Sequence, residues 1–344
     1  MFFWNVGLIH AFKNRDATSQ KMRLSKMKKY SRGLIVATGL LTSLFVHAEK
    51  EVNIGVQPAT QPIFIAKAAG YLEPIEKKYD VKFVFHSFSY GAPENQALAT
   101  GAIDLASAGM GPAIIASARL PAQLLAITIL EQTAIIVPAD STIKSVADLK
   151  GKKIAYPGKG SQQFPLLIKA LSDAGLSIDD IQLFKTKGSN VAQLVTQKDV
   201  DAGITWDPHV SKALASGDAK VLIKAEKILP LKSGHYIGNG FYGRTEFIEN
   251  NKDLVQELIS SIVKAINLIK SEPEIAIDFW QKEIGFPKDV IAFSLNQNVS
   301  VYSTDIVPDA STISNFTKFL KDADILEAKD TPKFNESFAK KALN

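Results

Sequence analysis

The stretch "GKGSQQFPLLIKALSDAG", Gly158 to Gly175, places two glycines, a serine and two glutamines directly before a helical pattern. Phe164, Leu167, Ile168 and Leu171 recur at i, i+3, i+4 and i+7, one buried stripe of a helix. Pro165 has no N–H and fits the first turn, where that donor has no intrahelical partner. The N–H groups before it are left free, so this helix start can be a plain cap or an anion site. Gly160, Ser161, Gln162 and Gln163 are the candidate donors. Three further junctions have the same character: "QPATQP" (Gln57 to Pro62), "SYGAP" (Ser89 to Pro93) and "AGMGP" (Ala108 to Pro112). Pro62, Pro93 and Pro112 each stand where the first position of a helix is expected. Helix N-termini offer unpaired N–H groups and partial positive charge, about 0.3–1 kcal/mol each toward an anion when exposed and up to ~2 when partly buried. Two converging termini therefore suffice for a sulfonate or carboxylate without an arginine.

Catalytic patterns do not emerge. The chain has no G-x-S-x-G elbow, no P-loop, no H-E-x-x-H and no G-x-G-x-x-G after a strand. Beyond the first 48 residues the histidines are His86, His209 and His235, none at metal-ligand spacing from another histidine or a carboxylate. Asp179-Asp180, and Asp199 with Asp201, sit before strands and read as solvated turns. The absence of cysteine excludes disulfides, a thiol nucleophile and thiolate metal sites. No cofactor and no metal are expected.

The elements that must position these loops follow from the patterning. Short β-branched runs ("EVNIGV", "VKFVF", "DLASAG", "LLAITIL") alternate with helical segments, which implies mostly parallel sheets with helices on both faces. A second series follows, with "KKIAY", "IQLFK", "DAGITW" and "AKVLIKA" as its strands. Residues Tyr236 to Arg244 are extended. Beyond Thr245 the pattern is almost entirely helical, and Leu254, Leu258, Ile262, Ile266 and Ile269 form an inner stripe. Ligands of open α/β sheets bind beyond the carboxyl ends of the strands, where the four junctions lie.

The formal charge of +5 over 344 residues is dominated by the first 48. Met27 to Ala48 has a basic start (Lys28, Lys29, Arg32), an uncharged apolar run from Gly33 to Val46, and Val46-His47-Ala48 at a cleavage position, the pattern of a secretory signal peptide. The start at Met1, Met22 or Met27 stays open. Cleavage after Ala48 leaves 32 basic and 34 acidic residues, a net charge of −2. That balance argues against nucleic acid or an anionic membrane surface as partner.

"VNIGVQPATQPIFIAKAAGYLE", "FSYGAPENQALATGAIDLASAGMGPAIIA", "SVADLKGKKIAYPGKGSQQF" and "VDAGITWDPHVSKAL" resemble successive segments of the periplasmic substrate-binding proteins of ABC importers for alkanesulfonates, taurine and nitrate. The resemblance is strong over Val52 to Thr245 and loose in the tail. It implies a two-lobed (type II) periplasmic binding protein, α/β, each lobe a mixed sheet flanked by helices. The leader is residues 1–48, with the signal peptide at 27–48. Lobe one takes residues 49–136 and 237–344, and lobe two residues 137–236. Hinge crossings are placed near Ala134–Pro138 and Gly234–Gly240. The implied partners are a small organic anion and an ABC permease in the inner membrane, the protein being a periplasmic monomer.

Position by position, the resemblance brings Gln57, Gly91, Met110, Gly111, Gly160, Ser161, Trp206 and Asp207 to the ligand, and Gln61, Tyr90, Gln162 and Gln163 of the same loops are added as candidates. Trp206 would form a wall, and Asp207 would meet an amine or cap the next helix. Two departures stand out. The third loop reads Met110-Gly111 where sulfonate binders often carry hydroxyls, leaving backbone donors there. Tyr90 replaces a small residue of the taurine relatives. With Phe164 also near, an aromatic or long-chain anion fits at least as well as taurine. Nitrate fits less well because the loops hold no clear cation, and Lys159 reads as solvated. A thiamine-pyrimidine precursor or an aromatic carboxylate are the other ligands of this fold. The alternative class is a thiamine-pyrimidine synthase-like enzyme, which the signal peptide and the lack of Cys argue against. An exported sensor module would share the cleft.

Overall fold

The structure is a computed structural model that describes residues 50–344. The signal-peptide expectation at 27–48 lies outside the described residues. The chain opens with β1 (Lys50–Val56), α1 (Pro62–Ala68), α2 (Glu73–Tyr79), β2 (Val81–Ser87), α3 (Gly91–Thr100), β3 (Leu105–Gly109), α4 (Met110–Arg119) and β4 (Ala122–Ile129). The second series is β5 (Thr133–Pro138), β6 (Lys153–Tyr156), α5 (Gln163–Asp173), β7 (Gln182–Lys185), α6 (Gly188–Thr196), β8 (Ala202–Trp206), α7 (His209–Ala215), β9 (Ala219–Lys224) and α8 (Ala225–Ile228). The chain then returns through β10 (Asn239–Arg244) to α9 (Thr245–Asn250), α10 (Lys252–Ser271), α11 (Pro273–Ile284), α12 (Lys288–Asn296), α13 (Ala310–Asp322) and α14 (Ser337–Ala342).

The two sheets share one plan. The first has strand order β2-β1-β3-β10-β4 and the second β7-β6-β8-β5-β9. In each, four strands run in one direction (β2, β1, β3, β4; β7, β6, β8, β9) and one, β10 or β5, is inserted antiparallel between the last two. That antiparallel strand follows directly on a passage between the sheets: β5 after Leu130–Gln132, and β10 after Tyr236–Gly238. The first crossing expected at Ala134–Pro138 is therefore displaced. Those residues are paired in β5, with Ala134 opposite Thr205 and Lys224, because the apolar run Ala134–Val137 is buried in the second sheet.

Burial follows sequence period. The expected stripe of α10 is buried throughout and packs with Val52, Ile54 and Val56 of β1 in one apolar cluster. The tail does more than cover the first sheet. Val301 bridges to Glu131 beside the first passage, and Val299 packs with Val191, Val195 and Val210 of the second sheet's helices. The C-terminal tail thus braces both halves. Among the described residues no helix is long and apolar enough to cross a membrane.

Candidate functional site

The loops at the carboxyl ends of β1, β3, β6 and β8 converge. Gln57, Tyr90, Gly91, Gly109, Pro112, Gln132, Ser161, Gln162, Gln163 and Trp206 line one cavity between the sheets, with about 10 Å³ of free volume. Every one of these side chains is uncharged. Three helices begin here, α3 at Gly91, α4 at Met110 and α5 at Gln163, and none has a side-chain cap. The first-turn N–H groups of a helix have no intrahelical partner, so backbone donors add to the amide and hydroxyl side chains of the site, and in α4 those of Met110 and Gly111 already meet Gly238 O and Gln162 Oε1. The prolines lie inside the first turns: Pro62 is the first residue of α1, while Pro93, Pro112 and Pro165 are each the third residue of their helix.

Close approach explains several glycines. A Cβ on Gly91 would lie 2.1 Å from Pro112 Cγ, and one on Gly160 2.5 Å from Cβ of Ala92. Gly188, at the start of α6, lies under Trp206, where a Cβ would be 2.1 Å from the indole Cη2. Trp206 in turn meets His209 edge-on at 5.6 Å, and His209 meets Phe286 at 5.3 Å. Burial pushes the His209 imidazole down to about 4, so it is a neutral packing ring. The Trp206 Nε1–H is buried without a partner.

The cleft rests on two buried carboxyls. Gln57 Nε2 donates to Glu94 Oε2 at 2.7 Å, so this amide nitrogen is committed to Glu94. Desolvation raises Glu94 to about 8. Glu131, between the sheets, accepts from the N–H groups of Gln132 (3.0 Å) and Thr133 (3.2 Å) and is raised to about 7, again by desolvation first. Gln132 Nε2 donates to Gly238 O at 2.8 Å, which fixes the amide and leaves its Oε1 buried and unpartnered.

Several expected ligand residues lie elsewhere. Met110 is fully buried with its sulfur against Gly240 in the core, and its N–H donates to Gly238 O. It is apolar and follows an extended glycine, so packing takes it. Gln61 donates to the carbonyls of Gln57 and Ser107, and its own carbonyl accepts from Trp280 Nε1 at 3.0 Å. Asp207 neither faces the cleft nor serves only as a cap. It is fully buried and accepts from Ser211, Ser294 and Ser300. Phe164 packs against Tyr156, ring centroids 5.5 Å apart, and Lys159 is exposed. Ser161 Oγ donates to Gly158 O at 2.7 Å, so its single proton is already used. Gly111 N donates to Gln162 Oε1 at 2.9 Å. Glu94, Gln132 and Gly188 were not expected from the sequence. The signal for Gln132 was the polar triplet Glu131-Gln132-Thr133 between two apolar strands.

Two mixed α/β sheets, each with the same order and joined by a pair of passages around a loop-lined cleft, define the periplasmic binding protein fold. Residues 57–276 match the NMT1/THI5 like family, and the chain belongs to it. A relative from Escherichia coli (strain K12), provisionally named an aliphatic sulfonates-binding protein, is 32% identical over 71% of this chain and 75% of its own. One of the same provisional name from Bacillus subtilis (strain 168) is 29% identical over 86% of this chain and 88% of its own. The crystal structure of the periplasmic aliphatic sulphonate binding protein SsuA from Escherichia coli superposes with a TM-score of 0.68, at 28% identity, covering 84% of this chain and 94% of that one.

Proposed function

We propose that this chain is the substrate-binding component of an ABC importer and captures a small organic anion, a sulfonate first, between its lobes. The observation that carries the reading is the convergence of three helix starts, none capped by the side chain of its own N-cap residue, on a cleft lined only by uncharged residues. Such a site stabilises a negative group through oriented N–H donors, and the unpartnered indole N–H of Trp206 adds one more. The names of the relatives support sulfonate as the class and a binding protein, not an enzyme, as the type.

An aliphatic chain fits better than the sequence suggested. Met110 and Phe164 are withdrawn into packing, so Tyr90 and Trp206 are the aromatic side chains left at the cavity. Nitrate is the weaker reading, because no cationic side chain lines the cleft to meet a compact ion. One lobe comprises residues 49–132 with 237–344 and the other 133–236, and the lobes part about the two passages to admit ligand. The protein acts as an exported, periplasmic monomer that delivers its ligand to an inner-membrane permease. The site residues of this reading are Gln57, Tyr90, Gly91, Gly111, Gln132, Gly160, Gln163 and Trp206.

Calorimetric titration with ethanesulfonate, taurine, nitrate and benzoate tests it. Sulfonates should bind most tightly, and at one hundred times Kd should add about 2.7 kcal/mol of stability in thermal melts. Binding of a sugar or a cation with no response to any anion overturns it, and turnover of the bound compound overturns the non-enzymatic reading.

A further inference from the structure

Gln162 stands immediately before α5, and its side chain crosses the cleft. Its Oε1 accepts the N–H of Gly111, in the first turn of α4, at 2.9 Å. Its Nε2 donates to Gly238 O at 2.9 Å and lies 3.3 Å from Ile237 O, on the second passage. The carbonyl acceptors at one end and the N–H donor at the other fix which way the amide points. The seat is shaped for it: a Cβ on Gly109 would lie 3.1 Å from Gln162 Oε1, and one on Gly111 3.4 Å from Gln162 Cα. A side chain on Gly109 would press on the amide. The two glycines of "GMG" therefore accommodate a residue from the opposite lobe.

We propose that Gln162 sets the affinity of the cleft by competing with the ligand: its amide oxygen holds the place at the start of α4 that the ligand's oxyanion takes. This rests on the anion-binding reading above. The N–H of Gly111 is the donor that an anion at this helix start would use. With the amide seated, the remaining cavity of about 10 Å³ has the size of a single water, too small for an organic anion beside it. Seating of the amide and binding of the anion exclude each other at this atom. The same side chain joins the start of α5 to the start of α4 and to the passage between the sheets, so it also favours the closed arrangement of the lobes. Apparent affinity is then the intrinsic affinity multiplied by the fraction of molecules whose amide is unseated. A latch of this kind fixes the concentration at which the protein responds, independently of the contacts made to the ligand.

Two variants test the latch, Gln162→Ala, and Gln162→Met, which keeps the length but removes the amide's hydrogen bonds. Solution X-ray scattering of each without added sulfonate should give a larger radius of gyration than wild type. Calorimetry should give ethanesulfonate a Kd roughly three- to tenfold lower than wild type. A radius unchanged in both variants overturns the latch, and so does weakened binding, which would make Gln162 an ordinary ligand contact. If wild type binds no sulfonate, the functional reading fails, while the scattering comparison still decides the latch.

Discussion

Ser294 Oγ of α12 donates a 2.6 Å hydrogen bond to Oδ2 of Asp207, at the end of β8. Ser300 Oγ reaches the same oxygen at 3.0 Å, while the hydroxyl and the N–H of Ser211 reach Oδ1. Burial pushes the Asp207 carboxyl up, and this ring of hydroxyl and amide donors pulls it back down. A buried carboxyl with both oxygens filled is held by its partners, and it holds them. Through it the C-terminal tail is fastened to the second sheet next to Trp206, so the wall of the cleft and the brace of the tail share one anchor.

Removing that anchor should be costly. Asp207→Ala leaves three buried hydroxyls and an amide without their acceptor, and should destabilise the fold by about 3 kcal/mol. Asp207→Asn keeps an acceptor oxygen, and the serine hydroxyls can rotate to accept from its amide, so its cost should be about half of that. Chemical denaturation of the two variants separates the cases. Equal losses would mean that the charge, and not the network, carries the stability.

Glu94 gives the protein a pH dependence of unusual sign. Its value rises from an ordinary 4.5 to about 8, by desolvation. The folded state therefore holds a proton that the unfolded chain releases, and the associated stability is fully present below pH 4.5 and is lost as pH rises toward 8. Glu131, raised to about 7, acts in the same direction. His209, lowered to about 4, acts in the opposite one, costing stability as pH falls from 6.5 to 4. Glu94→Gln removes one of these dependences and keeps an acceptor for Gln57. Its melting temperature should exceed that of wild type at pH 8 and approach it at pH 5. A difference that does not change with pH would mean Glu94 is ionised in both states.

The sequence carried the architecture because period and punctuation are local. Alternating β-branched runs and the i, i+3, i+4 stripe of α10 depend only on which face is buried, and both halves repeat them. The helix starts at the cleft were legible for the same reason, since Gly, Pro, Gln and Ser mark turns. What the sequence did not reveal is where a polar side chain spends its hydrogen bonds. Asp207 before a proline reads as a cap, yet its partners Ser294 and Ser300 are 87 and 93 residues away. Met110 sits in an exposed-looking glycine loop, but its neighbour in space is Gly240. Glu94 looks like an ordinary acidic residue in the first turn of a helix, and only the approach of β1 and Gln57 buries it.

Ser161 illustrates how such partners alter an expectation. Read from the sequence, its hydroxyl is a ligand donor whose loss weakens binding. In the fold both its N–H (3.1 Å) and its Oγ (2.7 Å) close onto Gly158 O. Ser161→Ala should cost no more than about 1 kcal/mol, because the backbone bond persists. The Kd for ethanesulfonate should stay within about twofold of wild type, which calorimetry can resolve. A tenfold loss would show that the hydroxyl turns away from Gly158 to meet the ligand.

Gly188→Ala should damage the cleft from behind. The added methyl would lie 2.1 Å from Trp206 Cη2 and 2.3 Å from Cζ3, well inside van der Waals contact. The indole cannot simply tilt, because His209 packs against it and Phe286 packs against His209. Gly188 has an ordinary helical place, so backbone strain contributes nothing and the cost is overpacking, about 1–3 kcal/mol. The relief available to Trp206 is toward the cavity that it lines, the space the proposed ligand would fill. The variant should therefore lose affinity for ethanesulfonate by about tenfold or more as well as stability, and its tryptophan emission should differ from that of wild type. Gly188→Ser should behave in the same way, since its Cβ is placed identically. Unchanged affinity in a folded Gly188→Ala protein would remove Trp206 from the binding wall.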